Sequence, residues 1–135
     1  PPAGIADLAR NRSAARQEQS GTHQLLERLL ADAGVAANTV KATATARTES
    51  DATVAVLEGE ADMAFGLEVL AHQYGLAFTP VIVERFDILI DRRTWFEPPV
   101  QKLQAFCRSA KFRERAHAHP GYDCREFGRV RFNGP

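Results

Sequence analysis

The sequence predicts an α/β fold built on a mainly parallel sheet, and three observations predict it. Short extended runs and amphipathic helical stretches alternate almost strictly along the chain, the pattern of a layered parallel architecture. The first two strand-to-helix junctions both carry small hydroxyl residues suited to helix capping, at Ser20-Gly21-Thr22 and at Thr48-Glu49-Ser50-Asp51. At 135 residues the chain has room for one domain with a real core and is short for two full-sized ones. Residues 1–135 are therefore read as a single domain.

Taken in order, Ile5, Ala6, Leu8 and Ala9 supply one or two helical turns before a strand at 13–17. A helix opens at Gly21 and ends at Gly34, a good C′ residue, with Leu25, Leu26, Leu29, Leu30 and Ala33 on one face. The run V-K-A-T-A-T-A-R at 40–47 alternates as a strand does. Thr48 or Ser50 caps the next helix, which takes its core face from Val54, Leu57 and Ala61 and ends at Gly59. D-M-A-F-G at 62–66 reads as a short strand, and 67–74 as a short helix closed by Gly75. From 78 to 90 the β-branched run F-T-P-V-I-V-E-R-F-D-I-L-I reads as a long extended stretch, with Pro80 marking an edge or a break. Pro98 and Pro99 open a helix that places Val100, Leu103, Phe106, Cys107 and Ala110 on one side and continues past Phe112 to Ala116. The tail from His117 is irregular, with a last strand expected at 129–132.

Composition excludes several classes. Lys and Arg number 17 and Asp and Glu 17, so the formal net charge is zero, which argues against a nucleic-acid-binding surface. No apolar run is long enough to span a bilayer and no signal-peptide pattern opens the chain; a cytoplasmic location is expected from the reduced-thiol reading of the two cysteines. Cys107 and Cys124 form no CxxC pair; two reduced thiols is the preferred reading and a disulfide the alternative. His117, His119, Asp123 and Cys124 are all zinc-ligating residue types, but their spacing matches no closed tetrahedral motif, and no metal or cofactor is predicted. Ser20 and His23 sit too close on one helical turn to act as nucleophile and placed base, and there is no G-x-S-x-G elbow. No enzyme chemistry is expected.

In a parallel sheet ligands sit beyond the carboxyl ends of the strands, where the junctions at 19–23 and 47–51 would share one edge. The first N–H groups of each helix lack intrahelical partners and carry partial positive charge, which makes the edge a seat for an oxyanion. Ser20, Gly21 and Thr22 are the leading ligand contacts, with His23 as a further donor. Arg16 and Arg47 are candidates to clamp an anion, and Thr48 and Ser50 are ligand candidates of second rank for which capping is the alternative. Glu68 would face the same edge or serve as a first-turn acid. Glu18, Glu49 and Asp51 repel an anion unless they point away or cap backbone N–H groups.

Four segments stand in a recognisable order: R-Q-x-x-S-G-T at 16–22, T-x-x-D-A-T-V-A-V-L-E-G-E-A-D-M-A-F-G at 48–66, E-R-F-D-I-L-I at 84–90, and K-F-R…P-G-Y-D at 111–123. On these the chain resembles the periplasmic-binding-protein-like domain of molybdate- and tungstate-related bacterial regulators and molybdenum-cofactor biosynthesis proteins. It is also similar to tungstate-uptake binding components and to LysR-type effector domains. The resemblance implies a type 2 fold of two α/β lobes joined by crossover strands. This chain would hold mainly the second lobe, the crossover strands at 13–17 and 86–90, and the C-terminal helix, as a fragment of a longer domain. It implies non-catalytic sensing of molybdate, tungstate or a related oxyanion, with no direct nucleic-acid contact and no membrane insertion by this chain. Unpaired crossover strands would favour a homodimer. Two alternatives stand beside the sensor: the solute-binding component of an oxyanion uptake system, and a structural or dimerisation module without ligand. His23 stands where the family commonly carries arginine, which favours the second alternative, and Glu18-Gln19 replaces a more basic, glycine-containing pair, a departure that bears on which ligand is bound.

Overall fold

Three parallel strands, β1 (Arg12–Arg16), β2 (Lys41–Ala46) and β3 (Met63–Ala64), form a sheet in the order β2-β1-β3. This is a computed structural model, and it describes residues 3–134. The chain divides into two units, Pro1–Val83 and Glu84–Pro135, and the sheet belongs to the first. Helices α1 (Gly21–Asp32), α2 (Glu49–Leu57) and α3 (Glu68–Gln73) follow the three strands in turn. Strand followed by helix, three times over, is what forces the strands to run parallel.

The two sheet faces bury different side chains, as the period of two demands. On one face Ala14, Ala44, Ala46 and Ala64 pack with Ala52, Ala55 and Val56 of α2 and with Ala61. On the other, Leu26 and Leu30 of α1 join Leu8 from the 3-10 turn Ile5–Ala9, flanked by Val40, Met63 and Phe65. In β3, Met63 belongs to the leucine face and Ala64 to the alanine face. The register of β1 on β2 slips between Ser13 and Ala14, so that Ala14 pairs with Ala44 and Thr43 is the extra residue. Thr43 sends its hydroxyl to the Glu60 carbonyl at 2.8 Å.

The helix ends follow their sequence signals. Ser20 caps α1 by accepting the His23 N–H at 3.1 Å. Gly34 closes it as the C′ residue at φ 68°, a conformation that disfavours any side chain. Thr48, not Ser50, caps α2: its hydroxyl accepts the Asp51 N–H while the Asp51 carboxylate accepts the Thr48 N–H, each at 3.0 Å. This is a reciprocal capping box.

Other expectations are corrected. The core face of α2 is Ala52, Thr53 and Ala55, whereas Val54 is half-buried and Leu57 is 52% exposed. An alanine-lined sheet face admits a helix that comes close, and only small residues fit between them. Residues 78–90 form no strand: a β-branched run still needs a partner ladder, and Pro80 removes one donor.

In the second unit, a 3-10 turn (Thr94–Phe96) precedes α4 (Pro98–Cys107) and α5 (Ala110–His117). The Asp91 carboxylate accepts the N–H groups of Arg93 at 2.9 Å and Thr94 at 3.1 Å, and these bonds hold its pKa below the usual aspartate value. The single long helix expected here is broken, because Ser109 caps a new one by accepting the Phe112 N–H at 3.1 Å. Gln104 and Cys107 are the buried residues of α4, while Leu103 and Phe106 stay largely exposed. Gln104 reaches the Gly128 carbonyl at 2.8 Å and so ties the tail to α4. That tail forms no strand at 129–132; Arg129 and Arg131 both pair with Glu126 instead. Phe112 meets Phe106 edge-on at 5.6 Å and stacks on Phe127 at 5.0 Å. Both cysteines are free, and burial pushes the Cys107 thiol pKa up. Among the described residues no helix is long and apolar enough to cross a membrane.

Enlarging the alanine face should cost more than trimming the leucine beside it. Ala52→Leu is expected to destabilise by about 1–3 kcal/mol through overpacking, and Leu57→Ala by less than about 1 kcal/mol. Urea unfolding of the two variants measures the contrast, and the reverse order would reject the close alanine packing.

Candidate functional site

The carboxyl ends of the strands bring together residues far apart in sequence. Arg16 closes β1, and its Nη1 donates to the Glu49 carboxylate in the first turn of α2. Its Nη2 donates to the Arg47 carbonyl at 2.9 Å. From the first turn of α1, the Thr22 hydroxyl donates to the same Glu49 Oε1 at 2.5 Å. The Arg16 and Glu49 side chains keep only 12% and 24% of their exposure. Sheet register explains the meeting, because Arg16 pairs with Ala46 and Glu49 lies three residues beyond it.

Two polar atoms of this pair are buried without a partner, Arg16 Nε and Glu49 Oε2, as is His23 Nδ1 in the first turn of α1. A Cβ built on Gly66, just past β3, would lie 3.8 Å from Glu49 Oε2. The third strand end thus approaches the same carboxylate.

The other predicted residues divide. Ser20 spends its hydroxyl on the α1 cap. Gly21 is exposed, and nothing lies within 4 Å of where its Cβ would stand, so the space above the first turn is open. His23 is half-buried, with Nε2 3.5 Å from Glu27 Oε1 one turn on. Arg47 contributes its carbonyl, while its side chain is exposed. Thr48 caps, and Ser50 is exposed in the first turn of α2. Glu68 is the first-turn acid of α3 and faces His72 at 4.0 Å. Asp51 is turned into its own cap.

Sequence reasoning missed the centre of the cluster. Glu49 counted only as a repulsive charge, although its place three residues past the partner of Arg16 was a usable signal once the strands were taken as neighbours.

The PBP superfamily domain, periplasmic-binding-protein-like, matches residues 2–108. The chain belongs to this superfamily. No significant match was found among curated proteins or solved structures. The PBP match takes in all three strands and both capped junctions, and membership makes ligand binding the general role of the domain.

A cavity of about 370 Å³ in the second unit is lined by Phe106, Phe112, Ala116, Tyr122, Arg115, His119 and Cys124. It is open and mostly apolar, whereas the strand-end cluster gathers a guanidinium and a hydroxyl on one oxygen, so the cluster is the better candidate. His117, His119, Asp123 and Cys124 do not gather: among the described residues no three His, Cys, Asp or Glu side chains are placed to hold a metal ion. Asp123 pairs with Arg125, whose hydrogen bonds bring its pKa down to about 2.

The opposite, amino-terminal edge of the sheet carries a different ion pair. Arg12 at the start of β1 grips Asp62, just before β3, with Nη2 at 2.7 Å, Nε at 3.2 Å and its backbone N–H at 3.0 Å. The side-chain bond from Arg12 holds the Asp62 pKa below the ordinary 3.8. A depressed carboxyl pKa gives stability that is full above the unfolded value and is lost as pH falls through the folded one. Asp62→Asn is therefore expected to melt below the wild type at neutral pH, and the gap should close as pH falls through the lowered Asp62 pKa. Thermal midpoints along a pH series test this; a gap that stays constant would reject the pairing as a source of stability.

Proposed function

We propose that this PBP-superfamily chain is a non-catalytic sensor of a small oxyanion, molybdate or tungstate foremost. It would serve as the effector domain of a transcriptional regulator or of a molybdopterin-biosynthesis-linked protein. One observation carries the reading: Arg16 and Thr22 already hold an anionic oxygen at the carboxyl edge of the sheet, that of Glu49. A charged guanidinium and a hydroxyl on one oxygen are the donors a tetrahedral oxyanion needs. The first turn of α1 adds N–H groups at Gly21 and Thr22 that have no intrahelical acceptor. The motifs at 16–22 and 48–66 support the choice of molybdate and tungstate, and the first unit is read as one type 2 lobe. Binding would be by hydrogen bonds and charge alone, since Ser20 and His23 are joined through backbone capping rather than side chain to side chain.

Pairing with a second copy belongs to the same proposal. The stretch at 78–90 leaves Val83 and Leu89 each 95% exposed, with Phe86 at 72%. Extended apolar backbone of this kind favours strand addition.

Thermal-shift titration with molybdate, tungstate, sulfate and phosphate tests the ligand. A midpoint that rises with tungstate or molybdate is expected, by about 2.7 kcal/mol of added stability at a hundred times the Kd. Ser20→Ala combined with Thr22→Ala should abolish the rise, and a flat midpoint with all four anions would sink the oxyanion reading. Light scattering is expected to give the mass of two chains; only monomer at high concentration would reject the dimer.

A further inference from the structure

The place an external anion would take is not vacant, because Glu49 fills it. A single oxygen, Oε1, accepts from Arg16 Nη1 and from Thr22 Oγ1, and so uses the two side-chain donors of the first junction. Arg16 Nη2 is committed to the Arg47 carbonyl at 2.9 Å. An incoming oxyanion finds these donors already occupied and meets a carboxylate of its own sign.

The pairing is also incomplete. Glu49 Oε2 and Arg16 Nε are buried yet make no hydrogen bond, where a pair built for stability would satisfy both atoms. An under-satisfied carboxylate costs less to move into water than a fully bonded one. Glu49 is the first residue of α2, with its backbone anchored through the Thr53 hydroxyl at 2.9 Å. Its side chain can therefore swing out without unwinding the helix.

We propose that Glu49 is the resident anion of this seat, an internal competitor that holds Arg16 and Thr22 until an oxyanion displaces it. The identity of the displacing ligand rests on the oxyanion reading above; the occupancy of Arg16 by Glu49 does not. Glu49 then sets selectivity. A ligand has to neutralise Arg16 and accept from Thr22 well enough to outbid a tethered carboxylate, which favours an anion of higher charge with more acceptor oxygens.

Glu49→Gln keeps the shape and removes the charge. Two readouts separate the proposal from the oxyanion reading: tungstate affinity by calorimetry, and labelling of Arg16 by phenylglyoxal followed by peptide mass. The variant is expected to bind tungstate about tenfold tighter than the wild type or better, and its Arg16 should label several times faster. Faster labelling with no tungstate binding in either protein would uphold the resident anion and overturn the oxyanion reading. Equal labelling with equal tungstate binding would overturn the resident anion and leave the oxyanion reading standing. Equal labelling with no binding would overturn both. Should the variant fail to fold by circular dichroism, the wild type alone still decides. Its Arg16 must label more slowly than exposed Arg47, with saturating tungstate protecting Arg16 further, and equal labelling of the two arginines would overturn the proposal.

Discussion

The ion pair between Arg16 and Glu49 is the constraint on which the carboxyl edge of the sheet depends. Arg16 is the last residue of β1 and lies largely out of water, and a guanidinium in that position needs an anion beside it. Glu49 supplies it from a different strand-to-helix unit, and Thr22 adds a hydroxyl from a third element. One carboxylate therefore locks the end of β1 to the first turns of α1 and α2. Both helices point their N-termini at this edge, so positive potential would accumulate there without such an anion. The fold itself provides that counter-charge, through Glu49.

That arrangement is set by packing beneath it. The alanine face lets α2 lie close against β1 and β2, with Ala52 and Ala55 buried on Ala14 and Ala46. Close approach brings the first turn of α2 within reach of the end of β1. The same economy of side chains limits the energy available, since alanine buries little apolar surface. The leucine face offsets this, with Leu8, Leu26 and Leu30 closing the opposite side. The two faces thus divide the work: one carries most of the apolar burial, and the other fixes the distance between α2 and the sheet.

Much of this was legible in the sequence, and the parts that were not share a cause. Capping residues, glycine stops and the alternation of strand and helix act locally, and Ser20, Gly34 and Thr48 stand where their chemistry puts them. The face of α2 was misjudged because hydrophobicity favoured Val54 and Leu57, whereas the facing alanines favour small residues. Residues 78–90 have strand composition, but strand formation depends on a partner edge that local composition does not encode. Ser109 was overlooked as a cap because the apolar spacing ran across it. At the carboxyl edge, Ser20 and Thr48 were legible as hydroxyl residues at helix starts, while the pairing of Arg16 with Glu49 required the register of two strands. Long-range register is what a single sequence read locally does not carry.

The distribution of acids around the two helix starts gives the seat a direction. Helix α2 has two carboxylates in its first turn, Glu49 and Asp51, and Asp51 is consumed by the capping box. Helix α1 has no acid in its own first turn, so the partial charge of about +0.5 at its N-terminus is met only by Glu49, through Thr22. On the proposed reading, an anion that displaces Glu49 would be drawn toward Gly21, Thr22 and the open space above them, and away from the acidic start of α2. Arg16 can follow it only by exchanging one anion for another, which keeps a largely buried cation neutralised throughout. On the proposed reading, ligand capture at this edge would be an anion exchange between a tethered carboxylate and a free oxyanion, with selectivity set by how much better the free anion satisfies α1 than Glu49 does.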